Sequence, residues 1–478
     1  MSKFNQTHSI RTQNISGNQA YVMTDKARLV TQVLTSFFNE AKFYGDNSKE
    51  LVKTVRTVIR QDPAFVSALA VYARREFHMR SVAHVLTAWL AHEPEGKPFV
   101  RQTVRGVTLR GDDVTEIMAF YLTTFGKPIP NSLKKGIADS LTGFDEYTLA
   151  KYKGNGKTVS MKDLLCLCRP TPRDGAQAAL WKRCLEDELA VPVTWETQLS
   201  ASGNSAGTWR SLIDSGKVGY MALLRNLRNI YNAKPANYDK VLRTIADPDA
   251  VKKSRQLPFR FLSAYKELYR IADSRTLDAL EDAAQAAIAN LPRWEGTTVI
   301  AVDTSGSMGS SVSAKSSVRC CEIAALLGLM ANQLCENAIY YTFDTQIRQE
   351  GVSHRNGLLR ESMHMTYGGG TNMYLPFQKM LDDDVKADRI VIFSDNECNA
   401  TSHWGDHRTV QCMADEYREK SGCHIWVHAV DLQGYGTQQF HGDRTNIIAG
   451  WSEKVFDFIT LAERGQDSLV SAIQSYTW

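Results

Sequence analysis

The sequence predicts a multi-domain protein of α + α/β class, an α-helical repeat domain over residues 1–292 followed by a doubly wound α/β domain over 293–478. Three observations carry this. At 478 residues the chain is long enough for two or more domains. From about Asp25 to Asn290 one amphipathic helical pattern follows another, with Pro or Gly at the joints. Beyond that, apolar runs of strand length alternate with helical patterns, the signature of a parallel sheet with crossover helices.

In chain order, Ser48 to Arg60 sets Leu51, Val52, Val55, Val58 and Ile59 at helical spacing with Lys and Arg between them. Asp62-Pro63 predicts a cap and first turn for a helix over 64–77, with Phe65, Leu69 and Tyr72 inward and Arg74-Arg75 in its last turn. Further helices are expected over 81–91, 97–110, 112–125, 131–141, 175–189, 218–232, 258–271 and 274–290. The joints include Glu93-Pro94-Glu95-Gly96, Gly126-Lys127-Pro128 and Arg169-Pro170-Thr171-Pro172. No strict repeat is visible in the sequence. Short amphipathic helices in antiparallel pairs over this length still point to a helical-repeat solenoid, with a compact all-α domain as the alternative. His78, His84 and His92 fall on adjoining helices with no acid or Cys to complete a metal site, and are read as satisfied or surface side chains.

In the C-terminal part strands are expected at 297–303, 338–343, 389–395, 424–431 and 454–459, and helices at 315–335, 374–384, 407–420 and 464–475. The stretches 344–370 and 432–452 are undecided. The run Thr298-Val299-Ile300-Ala301-Val302 reads as a fully buried parallel strand ending at Asp303. Ser305 and Ser307 follow in the loop at its C-terminal end, where open α/β sheets bind ligands. One carboxylate and two hydroxyls are hard oxygen donors, too few for a divalent ion alone. Thr371, after Gly368-Gly369-Gly370, and Asp395, at the end of Arg389–Ser394, supply the remainder. Mg²⁺ suits such a set because it keeps waters of its own. Asp382-Asp383-Asp384 is read as a solvated helix end.

Net charge is +4, unevenly placed: residues 1–290 hold 41 Lys and Arg against 29 Asp and Glu, and residues 291–478 hold 15 against 23. A basic first part joined to an acidic second points to a polyanion on the first. Its basic residues cluster. Lys151, Lys153 and Lys157 surround a Gly/Asn turn, with Lys162 and Arg169 following. Arg74, Arg75 and Arg80 form a second set, Arg225 and Arg228 a third, one helical turn apart, and Lys134-Lys135 a fourth. Lysines suit phosphate as point charges, and arginines also stack on bases. Each alone reads as solvated surface; the clusters together favour nucleic acid.

The composition, 43% hydrophobic and 23% charged, is that of a soluble globular protein. No apolar run approaches the roughly 20 residues that span a bilayer, so no membrane partner is expected. The N-terminus is polar, without a signal-peptide core. Nine scattered cysteines lack metal-finger spacing, and Cys166/Cys168 and Cys320/Cys321 are too close for ordinary bridges. A reducing, cytoplasmic location is the expectation.

Asp303-x-Ser305-x-Ser307, then Thr371, then Asp395 is the pattern of a von Willebrand factor A domain with its metal-ion-dependent adhesion site. The chain as a whole resembles the Ro autoantigen family and its bacterial orthologues, which join a TROVE module to such a domain. The C-terminal resemblance rests on Ala301–Met308, Gly369-Gly370-Thr371 and Phe393-Ser394-Asp395-Asn396-Glu397. The N-terminal one is spread over Lys151-Tyr152-Lys153, Lys162-Asp163-Leu164-Leu165, Ala222–Leu227 and Leu257-Pro258-Phe259. The resemblance implies a monomeric ring of HEAT-like repeats closed through the A domain. It implies small non-coding Y RNAs on a basic outer surface and single-stranded ends of misfolded RNAs in a central hole. Lys151 and the lysines after it would contact phosphates. Where the animal proteins carry a histidine this chain has Arg169, and Lys157 stands in for an arginine after a longer loop.

The function expected is RNA binding of the Ro type, in RNA quality control or as a ribonucleoprotein scaffold. The metal would serve a protein partner presenting an acidic side chain. A nuclease is disfavoured, since such enzymes use carboxylate-rich, often two-metal sites, and the roles a catalytic centre needs are not filled. The alternative is a metal-dependent adhesion or assembly module without RNA, which would purify free of nucleic-acid absorbance.

Overall fold

Asp62 caps a helix as expected: its carboxylate accepts from the Phe65 N–H at 3.0 Å, and Pro63 opens the helix Pro63–Arg75. That helix is buried from Phe65 through Arg74, so the inward stripe of Phe65, Leu69 and Tyr72 is only part of what it hides. Helices Lys49–Gln61, Ser81–His92 and Val100–Val107 pack around it. Each fully buried Leu, Val or Phe there contributes about 1.5–3 kcal/mol. The computed structural model of the chain describes residues 11–13, 19–34, 49–154, 156–256, 258–289, 291–311, 316–353, 356–398, 409–434, 437–450, 454–464 and 469–478. Asn155 of the lysine-rich turn and Leu257 lie outside them.

The contacts gather the chain into two units, one of Asp25–Val193 with Val470–Trp478, the other of Met1–Thr24 with Thr194–Leu469. The modules expected at 1–292 and 293–478 separate helical from α/β sequence, but packing draws the line elsewhere. Helices after Thr194 belong with the sheet.

In the first unit a repeat invisible in the sequence appears in the polar contacts. Side chains bond across a nearly constant separation: Lys26 to Asp62 over 36 residues, Arg56 to Glu93 over 37, Ser67 to Thr103 over 36, Arg74 to Asp113 over 39, Arg101 to Asp139 over 38 and Arg183 to Glu146 over 37. One helical hairpin thus stacks on the next with a period of that size, as a solenoid requires. The period continues in the second unit, where Arg228 reaches Glu267 over 39 residues and Arg275 reaches Asp239 over 36. The expected helix 97–110 is instead a 3₁₀ turn, Pro94–Phe99, followed by Val100–Val107. Short helices at Glu146–Lys151, Met161–Cys168, Trp195–Ser202, Ala206–Asp214, Tyr238–Ala246 and Pro248–Ser254 were not expected.

The chain's last residues also lie on the first unit. The Tyr476 hydroxyl donates to Glu76 Oε1 at 2.9 Å, and its ring meets Tyr72 edge-on, centroids 5.0 Å apart. Trp478 packs on Gly106, where a Cβ would come within 2.8 Å of the indole nitrogen and 2.5 Å of Val71.

In the second unit a six-stranded sheet runs Ile347–Gln349, Cys335–Phe343, Trp294–Asp303, Arg389–Ser394, Trp426–Asp431, Thr445–Ala449, parallel except for the first pair. Arg389–Ser394 is buried along its whole length, and helix Cys320–Leu334 covers the sheet almost without an exposed residue. The strand expected at 454–459 is a helix, Lys454–Glu463, and the edge strand is Thr445–Ala449. Val455, Phe456, Phe458 and Ile459 are buried at helical spacing, and Phe456 packs on Trp294. Residues Arg11–Gln13 and Gln19–Val22 form a small antiparallel sheet with Thr437–Gln438. The helices of this unit are tied to the sheet domain by charge. Lys266 Nζ donates to Glu322 at 2.5 and 2.7 Å and to the Ser317 carbonyl at 2.7 Å, and Glu281 accepts from the Leu359 and Arg360 N–H groups. Among the described residues no helix is long and apolar enough to cross a membrane.

Candidate metal centre and nucleic-acid interface

The strand order places Trp294–Asp303 between its two parallel neighbours. The chain runs from it to one side and later returns to the other, so Asp303 and Asp395 flank the switch point of the sheet. Register puts Val302 opposite both Thr342 and Phe393, which aligns the three strand ends. The Gly368–Gly370 loop is pinned there by two backbone bonds, Gly306 N–H to the Gly369 carbonyl at 3.0 Å and Gly368 N–H to the Thr304 carbonyl at 2.8 Å. Gly369 has φ +72°, and a Cβ on it would meet Thr345 Oγ1 at 3.2 Å, so only glycine makes this approach without strain. Thr371 follows directly, its carbonyl accepting from the Cys398 thiol at 3.3 Å.

Asp303, Ser305, Ser307, Thr371 and Asp395 therefore meet at one loop cluster. Ser305 and Ser307 hydroxyls lie 3.2 Å apart. Asp303 Oδ1 accepts from the Ser305 N–H at 2.8 Å, and its Oδ2 accepts from Ser394 Oγ at 2.5 Å. Ser394 is a member of the cluster that the motif alone does not name. Asp303 and Asp395 are wholly buried. Burial and then the Asp395 charge push the Asp303 carboxyl up to about 7, and burial raises Asp395 as well, against the Ser307 hydroxyl that holds it down. Asp395 Oδ2 is buried with no hydrogen-bond partner. Two buried carboxylates, one with an orphaned oxygen, and hydroxyls beside them fit a hard divalent cation. Among the described residues no group of three or more His, Cys, Asp or Glu side chains offers a metal another site.

The twelve basic residues expected at an RNA surface divide sharply. Arg74, expected on that surface, is 5% exposed and donates to Asp113 Oδ2 at 3.0 Å, so it cannot reach a ligand. The reason is Asp113: fully buried, it also accepts from Arg80 at 3.0 Å, His84 at 3.1 Å and the Leu109 and Arg110 N–H groups. Despite burial, these donors and cations hold its carboxyl well below the usual range. Arg75 donates to the Gly106 carbonyl. Lys153 and Lys162 share Asp187, Lys157 pairs with Glu116, and Arg228 pairs with Glu267. Lys151 sits beside the rings of Tyr147 and Tyr152. Arg225 is exposed, on the second unit.

Lys134, Lys135 and Arg169 differ. They line one groove of about 670 Å³ between helix Asn131–Leu141 and the C-terminal end of Met161–Cys168. None of the three has an ion pair among the described residues. The one acid in the wall, Asp139, is held by Arg101 at 2.9 Å. Arg169 ends its helix in the left-handed conformation, φ 47°, ahead of Pro170, which turns the chain along the groove. Cys166 and Cys168 complete the wall, and burial pushes the Cys168 thiol up to about 12.

Comparison with known proteins agrees with this architecture. The TROVE domain model matches residues 12–189 and 182–349, and the Ro60 vWA domain model matches 297–438. A crystal structure of the Deinococcus radiodurans RO (RSR) protein superposes with TM-score 0.61 at 19% identity, covering 92% of this chain and all of that one. The RNA-binding protein RO60 of D. radiodurans is 26% identical over 43% of this chain and 41% of its own length. Telomerase protein component 1 of Rattus norvegicus is 26% identical over 44% of this chain and 11% of its own. The matches thus span less than half of these curated relatives. The TROVE match runs through both helical stretches and into the sheet domain, which is more than half of the sequence, and the chain belongs to the TROVE domain family.

Proposed function

We propose that this protein binds RNA, and that the groove of Lys134, Lys135 and Arg169 takes its phosphates. The observation that carries this is the pairing census. Of the cations expected at the surface, these three converge on one concavity without a carboxylate to neutralise them. Cations so placed gain by releasing counterions from a polyanion. The name of the RO60 relatives supports the same ligand class. Within it, Y-like small RNAs and the single-stranded ends of misfolded RNAs are the ligands proposed, acting as a scaffold or in quality control and without catalysis by the chain. Nine free cysteines accord with a reducing, cytoplasmic setting.

The loop cluster is read as a metal-ion-dependent adhesion site holding Mg²⁺ by Ser305, Ser307 and Thr371, with Asp303 and Asp395 orienting its waters. Its chemistry would be charge neutralisation of an acidic side chain on a protein partner. Asp395 Oδ2 and the raised Asp303 are the groups such an ion would satisfy.

Filter binding of single-stranded RNA over a salt series tests the RNA reading. Replacing Lys134, Lys135 and Arg169 by Gln should lower the slope of log K against log salt by about 2, at roughly 0.7 per phosphate contact. A flat response in the unmodified protein, or an unchanged slope in the triple variant, would overturn it.

A further inference from the structure

On the first unit, away from the residues that line the groove, an alternation of rings and cations lies on the surface. Lys151 Nζ is 5.3 Å from the Tyr147 ring centre and 5.6 Å from that of Tyr152, and the Arg110 guanidinium is 5.3 Å from the Tyr152 ring centre. Helix Glu146–Lys151 is held in place for this. Asp145 caps it, Glu146 is clamped by Arg183 at 2.9 Å, and Gly111 at the start of the earlier helix Gly111–Phe125 packs so closely that a Cβ would meet Thr148 and Tyr152 under 3 Å.

Tyr147 is the unusual member. It is 49% exposed, a large ring left in water beside a fixed cation. The Lys151 ammonium donates to its hydroxyl at 3.2 Å while standing 5.3 Å from the ring centre. Those two distances put the ammonium out toward the hydroxyl edge, so it does not itself cap a face of this half-exposed ring. An open aromatic face next to a cation is what an unpaired base and its phosphate need. Stacking uses the ring, the charge uses the phosphate, and neither reads sequence. A duplex hides its base faces and can offer only phosphate.

We propose that Tyr147 is a stacking platform for one unpaired nucleobase of bound RNA, with Lys151 beside it holding the adjoining phosphate. The proposal rests on the RNA-binding reading above and adds to it one named ring at which an unpaired base stacks.

The test uses the full chain with two end-labelled RNAs of equal length, an unstructured oligouridine and a blunt duplex, followed by fluorescence anisotropy. A second oligouridine carries one 2-aminopurine as a reporter of stacking. Tyr147→Ala should weaken single-strand binding by on the order of tenfold and duplex binding by less than twofold, and should remove the quenching of 2-aminopurine. Tyr147→Phe should keep both affinity and quenching, because the ring and not the hydroxyl does the stacking. Equal losses for strand and duplex, or no loss for either, would overturn the platform while leaving the groove reading intact. Should the unmodified protein bind neither RNA, the platform and the RNA reading fail together, whereas an unchanged salt slope in the groove variant with retained quenching would sink the groove alone.

Discussion

Asp113 and Asp303 are both fully buried carboxylates, and they have opposite fates. Asp113 sits among Arg74, Arg80 and His84 and caps a helix, and its carboxyl is held well below the ordinary range. Asp303 faces burial and a second acid with only hydroxyls and one N–H to help, and rises to about 7. Burial costs both the same kind of energy; what differs is whether the fold itself supplies the compensating charge. Where it does, the group serves stability. Where it does not, the group is left to take up a proton or, on the reading proposed above, a cation. The same contrast sorts the basic residues: Arg74, Lys153 and Lys157 have internal acids, while Lys134, Lys135 and Arg169 do not.

The largest effect should come from breaking the satisfied cluster. Asp113→Ala strands the Arg74 guanidinium in the core and should cost about 3–5 kcal/mol in denaturant unfolding. The same carboxylate sets an acid limb. Since its folded pKa is depressed, its stabilisation is complete above the unfolded carboxylate range near pH 4 and is lost as pH falls below it. Asp113→Asn should flatten that limb, and an unchanged limb would show that the cluster is not what Asp113 contributes.

The metal loop should respond in the other sense. Adding Mg²⁺ to a hundredfold excess over its Kd should stabilise the protein by about 2.7 kcal/mol. Asp395→Asn should abolish the rise in thermal midpoint without a comparable loss in metal-free buffer, because one oxygen of the carboxylate it replaces has no hydrogen-bond partner. A midpoint indifferent to Mg²⁺ in the unmodified protein would remove the metal reading. The smallest effect belongs to the exposed pairs. Lys157→Gln, parting it from a half-exposed Glu116, should change stability by less than about 1 kcal/mol. Its effect on the RNA salt slope should be smaller than that of any groove cation.

The local chemistry of this fold was legible in its residues, and the long-range pairing was not. The Asp303 strand, its serine loop and the Asp62-Pro63 cap follow from side-chain type and spacing, and the structure carries them as expected. The helix Lys454–Glu463 mimics a strand in its short Phe456-Asp457-Phe458 alternation. The decisive feature is the next apolar residue, Ile459, which extends a helical face and not a pleat. The missed short helices do carry start signals in Thr194, Ser205 and Asp247, each of which caps one, but their runs are too brief to show a period. Which lysines are neutralised was beyond reach for another reason. Lys157 meets Glu116 41 residues away and Arg74 meets Asp113 39 away, distances set by the stacking of hairpins. The groove is likewise made of two helices that only the stack brings side by side.

The docking of Tyr476 and Trp478 on Tyr72, Glu76 and Gly106 bears on the order in which the first unit can assemble. The contact joins residues 400 apart in sequence, so the first unit is assembled from two segments separated along the chain by Thr194–Leu469. The seat on Tyr72 and Gly106 is therefore filled only after the intervening residues have been synthesised, so this pairing closes the unit late and across a long loop.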